Sequence, residues 1–575
     1  MRKMTYRPIS SRFHLRLSAT GPLVLLLIIA VIFASGCKPV HDEMDRYLEA
    51  AHDVWGFQGS ALVAYKGKVI LAKGYGMANY TFDEPNTPQT KFFIGSITKQ
   101  FTAAAIMILQ ERGLLNVHDP ISKYLPDYPK ATAERITIEN LLTHTSGVPN
   151  YTEVPELMLK RTRNLSPSDL LDLFKDEPLE FEPGTDFHYS NSGYIILGAI
   201  IEKVSGQSYE AFLHHEILNK AGMHNSGYAR REAGLPDRAD GYTIDDRRAP
   251  IAALPISFSV LHTAGAMYST VEDMLKWDQA LYNQQVLSRQ SVDQMLTPHS
   301  GNYGYGWVIE SLFGHRHTFH GGFIDGFNTT FDRWVDDSLC VVVFSNEDEA
   351  PVKKIARSLA AIAFHKPYVM PERKEPVALD PAVLANYVGV YRQDRELQRL
   401  VTVTGDTLFS QLSGEPPERL FLLAVDTFFL ESDNTSTMIF DRDSLGVVTS
   451  ATLYDGISSV HADKLSGKEA EKELTSRTPV EVSESTLDEY VGLYDLRSRL
   501  DDSASDFTLT IIRQGRQLRA AATGTGEVDL LPSSETEFFH RQSDLRVVFK
   551  RDESGQVVGC ILRMGTAWVE GKKVR

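Results

Sequence analysis

The sequence predicts an α+β domain followed by two small all-β domains. Strand-like segments lie at both ends of the first 365 residues, at 59–75 and again near 304–345, and helical and loop segments fill the interval. This order favours one sheet built from both ends of the domain. Beyond residue 376 the chain carries a weak internal repeat of short alternating strands and turns, which is typical of small barrels or sandwiches.

Residues 1–37 have the pattern of an export signal. Five basic residues and no acidic residue occur in the first 36 positions, ahead of the apolar run Pro22–Phe33. The run is shorter than the roughly 20 residues that span a bilayer, and it fits a signal peptide. Small residues before Cys37 resemble a bacterial lipobox, which predicts lipidation of Cys37 and a periplasmic or cell-envelope lipoprotein. A plain secretory cleavage and an uncleaved anchor are the alternatives.

The first domain is predicted to cover residues 42–365. Gly59–Tyr65 and Lys68–Tyr75 flank a short turn, which predicts a β-hairpin. Ser338–Phe344 is a further strand. The amphipathic pattern of Val352–Phe364 predicts a helix that closes the domain.

Ser96 and Lys99 form the pattern Ser-x-x-Lys at the start of a predicted buried helix, Gln100–Leu109. A serine there lies beside free backbone N–H groups and the positive end of the helix dipole. Lys99 shares its face at spacing i+3, and a hydroxyl becomes a nucleophile when a base is within reach. An ordinary helix cap beside a solvated lysine is the alternative that the pattern alone leaves open.

Tyr189 and Asn191 form a second motif, Tyr-x-Asn, ahead of an apolar segment. A neighbouring ammonium lowers the pKa of a tyrosine, so either Lys99 tunes Tyr189 or Tyr189 keeps Lys99 neutral. Asn191 offers an amide to a substrate carbonyl and to Lys99. The alternative is a turn tyrosine and asparagine without a chemical role.

His320, Gly321 and Gly322 follow one candidate strand and precede another. Paired glycines allow a backbone to pass close to a ligand. We expect this segment to offer its edge to substrate, with the N–H groups of Phe323 and Ser96 as an oxyanion hole. His320 is predicted to contact a substrate carboxylate or to assist proton transfer. A tight glycine turn is the alternative.

The order Ser-x-x-Lys, Tyr-x-Asn, His-Gly-Gly resembles the serine β-lactamase and penicillin-binding-protein superfamily. The likeness is closest to the branch of class C β-lactamases, D-alanyl-D-alanine carboxypeptidases, D-aminopeptidases and related esterases. It implies an α/β/α sandwich with an antiparallel sheet, a helical subdomain and the site at their junction. It also implies that Ser96 is the acyl-accepting nucleophile and that Lys99 and Tyr189 share general-base and general-acid work. Substrate is then positioned by the remaining motif residues, Asn191, His320, Gly321, Gly322 and Phe323.

The resemblance implies a serine hydrolase that forms an acyl-enzyme on amide or ester bonds, with a D-amino-acid-type peptidase or esterase favoured. Class C β-lactamases usually have Lys-Thr-Gly where this chain has His320-Gly-Gly. Because a histidine is mostly neutral at pH 7, we expect weak carboxylate binding that strengthens at acid pH. Neutral esters and amides should then be better substrates than penicillins. A class C-like β-lactamase and a penicillin-recognising sensor without turnover are the alternatives.

The net charge of −16 makes nucleic acid a poor partner. We expect a small-molecule or peptide substrate, no cofactor, no metal, and membrane contact only through Cys37; the oligomeric state stays open. His315 and His317 near the third motif lack the companion ligands of a zinc set. Cys340 and Cys560 lie in apolar runs of different domains, which predicts buried thiols.

The tail is predicted to form two lipocalin-like β-barrels, at 377–465 and 480–575. Leu384–Tyr391 matches Leu487–Tyr494, and polar or proline-rich linkers precede each repeat. Two interpretations stay open. In one the barrels shape access to the site; in the other they only pack, space or bind.

Overall fold

The structure, a computed structural model, describes residues 39–574 apart from short gaps. The gaps are 154–156, 158–159, 230–233, 245–248, 378–380, 394–397, 413–416, 432–434, 458, 468–469, 471–479, 497–507, 524–526, 541–544 and 565–566. The signal-like segment with Cys37 lies outside the described residues. Within them, no helix is both long and apolar enough to cross a bilayer.

A six-stranded antiparallel sheet forms the centre of the first domain. Its strands are β1 Gly59–Tyr65, β2 Lys68–Tyr75, β3 Val308–Leu312, β4 His315–Ile324, β5 Phe327–Trp334 and β6 Leu339–Ser345. The order across the sheet is β3-β4-β5-β6-β1-β2. β1 pairs antiparallel with β6, so the first hairpin of the chain completes a sheet made of later strands, as the sequence predicts.

Helices cover both faces of this sheet. They are Val40–Trp55, Thr98–Glu111, Lys130–Ala133, Ile138–Leu142, Pro167–Asp172, Asn191–Ser205, Tyr209–Phe212, Asn219–Ala221, Phe258–Gly265, Val271–Tyr282, Arg289–Met295 and Val352–Ala363, with a π-helical turn at Leu213–Leu218. Short strand pairings outside the main sheet involve Met77–Asn79, Glu84–Pro85, Phe92–Phe93, Gly227–Tyr228, Tyr242–Ile244, Pro250–Ala252 and Met267–Ser269.

Alternate residues of β1 enter two separate cores, as the two-residue period of a strand requires. Leu62 packs into the larger core on one face. Val63 packs into the other core, which the first and last helices of the domain cover. The result is an α/β/α sandwich, which confirms the predicted fold class.

The helix Thr98–Glu111 runs through the larger core. Residues 98–109 are buried on every side, whereas a surface helix would bury only one stripe. A helix without a solvated face is held by its surroundings in all directions. The turn that precedes it, Gly95–Ile97, is therefore a rigid place for a functional side chain.

Two closed eight-stranded antiparallel barrels follow the first domain. The strands of the first are Gly389–Arg392, Gln398–Thr404, Thr407–Leu412, Glu418–Ala424, Thr427–Leu430, Thr437–Arg442, Val448–Tyr454 and Ser459–Lys464. Those of the second are Gly492–Asp495, Thr508–Gln514, Gln517–Ala522, Val528–Pro532, Glu537–Phe539, Leu545–Arg551, Val557–Met564 and Ala567–Lys573. A short helix precedes each barrel, Pro381–Leu384 and Glu484–Tyr490.

The repeat seen in the sequence extends to individual hydrogen bonds. The Tyr391 hydroxyl donates to the carbonyl of Tyr387 at 2.7 Å, and the Tyr494 hydroxyl donates to that of Tyr490 at the same distance. The proline-rich linker 366–376 is anchored: its Tyr368 hydroxyl donates to a Glu43 carboxylate oxygen at 2.6 Å. Cys340 and Cys560 are free, buried thiols, as predicted.

His317 ties three strands together inside the sheet. Its Nδ1 lies 3.0 Å from Glu310 Oε1 on β3, and its Nε2 lies 2.8 Å from Asp332 Oδ1 on β5. Burial by itself lowers the pKa of His317, but the hydrogen bonds to these carboxylates outweigh it and raise that pKa above its usual value. Because both partners are carboxylates, both ring nitrogens donate and the imidazole is a cation.

This cation predicts a pH-dependent stability. A raised pKa in the folded state contributes stability that is complete below the usual histidine pKa of about 6.5 and is lost as pH rises through the folded-state value. The melting temperature should therefore fall between pH 6 and pH 9, and His317→Gln should remove most of that fall. The control is His215→Gln, at an exposed histidine. A steep loss that persists in His317→Gln would assign the effect to another group.

Candidate active site

The turn that carries Ser96 is pressed against β4. Gly95 has a φ of 50°, and a Cβ there would lie 2.9 Å from the backbone nitrogen of Phe323. A Cβ at Gly322 would lie 1.9 Å from the carbonyl oxygen of Ile94. Both positions need glycine because the two backbones touch. Gly322 thus serves contact with the chain's own turn, whereas the sequence analysis assigned its closeness to a ligand.

Lys99 lies directly behind Ser96 and has no exposed surface. Its Nζ is 3.0 Å from Ser96 Oγ, 2.8 Å from Asn191 Oδ1 and 2.8 Å from the carbonyl oxygen of Ala264. Burial lowers the pKa of Lys99 well below the usual lysine value, since taking an ammonium out of water disfavours its charged form. None of these three partners is a carboxylate, so none of them carries a negative charge that would stabilise Lys99 as an ammonium.

Asn191 begins the helix Asn191–Ser205 and is oriented from both ends of its amide. Its Oδ1 accepts from Lys99, and its Nδ2 donates to Asn150 Oδ1 at 3.3 Å and to Thr152 Oγ1 at 3.2 Å. The expected contact with Lys99 is present. Asn191 therefore positions Lys99, and its contact with a substrate carbonyl stays a prediction.

Tyr189 is half-buried beside Lys99, with its hydroxyl oxygen shielded from solvent. The Nζ of Lys99 lies 4.9 Å from the centre of its ring. Burial raises the pKa of the Tyr189 hydroxyl well above its usual value, and the nearby Ser96 hydroxyl offsets this only in part. The phenol therefore keeps its proton at neutral pH. Its ring also packs on that of His144 at 4.2 Å between centres.

His320 is engaged at both ring nitrogens. The Tyr303 hydroxyl lies 2.8 Å from Nε2, and Nδ1 lies 2.6 Å from the carbonyl oxygen of Gly321. Burial above all, together with the charges of Lys99 and Lys353, lowers the pKa of His320 to about 3. The expectation that His320 gains charge in mild acid and then binds a carboxylate is therefore wrong, because the ring stays neutral throughout that range.

The free edge of β4 borders a cleft of about 940 Å³. β3 pairs with β4 only as far as Phe319, so no strand of the described residues lies beside the edge at His320–Ile324 on that side. The cleft is lined by Ser96, Phe187, Tyr189, Gly301, Tyr303, Val308, Phe319, His320, Gly321, Gly322, Phe323, Asn328, Glu349, Ala350, Pro351, Val352, Lys353, Lys354, Arg357, Asp455 and Ile457. Phe323 is 63% exposed, which gives the cleft an apolar contact next to Ser96.

Two contributors to the site were missed by the sequence analysis. The carbonyl of Ala264 reaches Lys99 because the chain kinks at His262, where φ is 35° and ψ is −128° inside the helix Phe258–Gly265. His144 has a φ of 57°, and its Nδ1 accepts from the backbone N–H of Ser190 at 3.1 Å. The sequence around His262 and His144 gives no local signal for either backbone conformation.

No group of three or more His, Cys, Asp or Glu side chains suited to a metal ion occurs in the part of the chain that the structure describes. The histidines near the third motif have other partners: His317 is held by two carboxylates. His315 lies 2.8 Å from Asp337.

A serine next to a buried lysine amine, on a turn packed against the sheet of an α/β/α sandwich, is the arrangement of active-site-serine hydrolases. The family model described as beta-lactamase matches residues 45–364. The chain belongs to this family.

Individual relatives agree with that placement. The chain is 30% identical over 402 residues to penicillin-binding protein 4* of Bacillus subtilis, which covers 65% of this chain and 88% of that protein. A penicillin binding protein from Bacillus halodurans is 31% identical with a TM-score of 0.51, covering 55% of this chain and 98% of that one. A D-amino acid amidase from Ochrobactrum anthropi, 22% identical with a TM-score of 0.50, shares the fold over 56% of this chain and 99% of its own.

Because β4 packs closely against the turn that carries Ser96, we expect Gly322→Ala to destabilise the protein and to displace this turn. Its methyl group would overlap the Ile94 carbonyl, and relieving such overpacking typically costs about 2 kcal/mol or displaces the backbone. We expect a lower melting temperature together with slower labelling of Ser96 by a fluorophosphonate. Gly234→Ala, where nothing lies within 4 Å of the new methyl, is the control. Unchanged labelling and stability in Gly322→Ala would mean that the close approach is not needed.

Proposed function

We propose that this protein is a serine hydrolase that forms an acyl-enzyme at Ser96 and acts on amide or ester bonds of D-amino-acid-type substrates. The observation that carries the proposal is the buried amine of Lys99, 3.0 Å from Ser96 Oγ. A hydroxyl needs a base at this distance to attack a carbonyl.

The number of protons on the Lys99 amine and the acceptors around it favour Lys99 as the base. As an ammonium, Lys99 would donate to all three oxygens around it. Burial favours the neutral amine, which has two protons and one lone pair. Asn191 Oδ1 and the carbonyl of Ala264 can only accept, so they take the two protons. The lone pair is then directed at Ser96, whose hydroxyl donates to it.

Tyr189 is the matching acid. Its phenol stays protonated and lines the cleft beside Ser96. As Ser96 Oγ bonds to the carbonyl carbon, its proton passes to Lys99. The bond to the leaving nitrogen or oxygen then breaks as that atom takes a proton from Tyr189, which Lys99 resupplies. Water repeats the sequence in the second half and releases the acid.

The oxyanion that forms at the carbonyl is assigned to the backbone N–H groups of Ser96 and Phe323. The nitrogen of Phe323 adjoins Gly95 closely enough that a side chain there would collide with it, so the two N–H groups come from touching segments. Backbone donors held in this way stabilise the developing negative charge without reorganisation.

The substrate class rests on the family and on the cleft. Two of the relatives are named penicillin-binding proteins, and a protein of the same fold is a D-amino acid amidase. The exposed Phe323 beside Ser96 suits an apolar side chain on the acyl group. A penicillin-recognising sensor is the second candidate, since it would acylate at the same serine. Turnover separates the two.

Labelling and turnover test the proposal together. A fluorophosphonate should label one serine, Ser96, and Ser96→Ala should abolish both labelling and hydrolysis. The purified chain should turn over D-aminoacyl amides, D-Ala-D-Ala peptides or p-nitrophenyl esters at least as well as a chromogenic cephalosporin. Stoichiometric acylation without turnover would favour the sensor, and a dominant cephalosporinase activity would favour a β-lactamase. Labelling at another residue would refute the mechanism.

Lys99→Arg tests the base. An arginine keeps the positive charge but does not give up its proton, so labelling should slow by at least about 100-fold. In the parent protein the labelling rate should rise with pH as Lys99 loses its proton, with a midpoint well below the usual lysine value of 10.5. Lys276→Arg, a half-exposed lysine in an ion pair with Asp273, is the control. A midpoint near 10.5, or full activity in Lys99→Arg, would contradict this role.

A further inference from the structure

The cleft lacks a cation at His320, the position where class C β-lactamases usually have a lysine. His320 is neutral and uses both ring nitrogens within the protein. Lys99 is wholly buried behind Ser96. Any positive charge that meets substrate must come from another element.

Three cationic side chains of the helix Val352–Ala363 line the same cleft: Lys353, Lys354 and Arg357. Arg357 donates to Glu310 at 3.1 Å. Lys354 donates to Ser436 of the first barrel at 3.1 Å and lies over the ring of Trp55. Both are committed to contacts within the protein.

Lys353 differs from its two neighbours. No ion pair or hydrogen bond of its ammonium is found among the described residues, and its side chain is exposed to the cleft. Glu349 and Asp455, the acidic side chains of the cleft lining, each have an interaction of their own within the protein. An exposed ammonium without a fixed partner is available to an anion that enters.

The side chain of Lys353 reaches from its helix to Gly321 of β4. A Cβ at Gly321 would lie 3.1 Å from Lys353 Cε and 3.8 Å from its Nζ. The end of the Lys353 side chain therefore packs against the backbone of β4 at Gly321. Gly321 and Gly322 face opposite sides of β4, yet both line the cleft. The cleft therefore passes around the free edge of the strand, from Ser96 on one side to Lys353 on the other.

We propose that Lys353 forms a binding subsite for a carboxylate on the substrate, one element away from the motif position that carries the lysine in class C β-lactamases. An extended substrate along the free edge of β4 would place its carboxylate beside Gly321, where the ammonium reaches it. Substrates with a free carboxylate are then preferred over their neutral amides. This replaces the expectation, drawn from His320, that carboxylates bind weakly, and it rests on the proposed function.

The test uses two probes that differ only in charge, acetyl-D-Ala-D-Ala and its C-terminal amide. Each is measured by how well it slows fluorophosphonate labelling of Ser96, which works for a substrate and for a tight ligand alike. We expect the acid to protect about tenfold better than the amide, as a hydrogen bond between charged groups typically gives. The preference should shrink as salt is raised, because an exposed charge pair is screened.

Lys353→Met should bring the two probes to equal protection and leave the amide unchanged. Lys353→Arg should retain the preference. Lys68→Met, an exposed lysine on β2 at the opposite edge of the sheet, should behave like the parent. An acid preference that survives in Lys353→Met, or equal protection in the parent, overturns the subsite while the function stands. Absence of Ser96 labelling in the parent overturns the proposed function and the subsite with it.

Discussion

The amine of Lys99 is held by three oxygens that come from three separate parts of the chain. Ser96 lies in the turn before the central helix, Asn191 begins a second helix, and Ala264 lies just past a kink in a third. An amine without water or a carboxylate around it is disfavoured as a cation. The packing of these three helices buries the Lys99 amine, and this burial lowers its pKa so that it can accept the proton of Ser96.

The sheet supplies the second constraint. β4 lies so close to the turn that carries Ser96 that Gly95 and Gly322 cannot carry side chains. The ion pairs of His317 hold β4 between its neighbours three residues before His320. A substrate that pairs with the free edge of β4 is thereby placed at a set distance from Ser96, which is how a rigid scaffold contributes to catalysis.

The residues that the sequence could predict are those whose chemistry is carried by local pattern. Ser96 and Lys99 are one helical turn apart, and Tyr189 stands two residues from Asn191, so their spacing and their order along the chain single them out as candidates. The β-hairpin follows from short-range periodicity, and the two barrels follow from the match between two distant segments, Leu384–Tyr391 and Leu487–Tyr494. His320 was misjudged because its pKa depends above all on burial, which packing by distant parts of the chain produces. Ala264 and Lys353 act through a backbone kink and through helix packing at the sheet edge, neither of which has a local signature.

The charge state of Lys99 tests the account most directly. With lysines labelled with ¹³C at the ε-carbon, the resonance of Lys99 can be assigned by its loss in Lys99→Met and followed over pH in the unreacted protein. We expect this resonance to titrate well below the usual lysine value of 10.5 and to be that of a neutral amine in the pH range of activity. A resonance that stays that of an ammonium up to pH 10 would contradict the assignment of Lys99 as the base for Ser96.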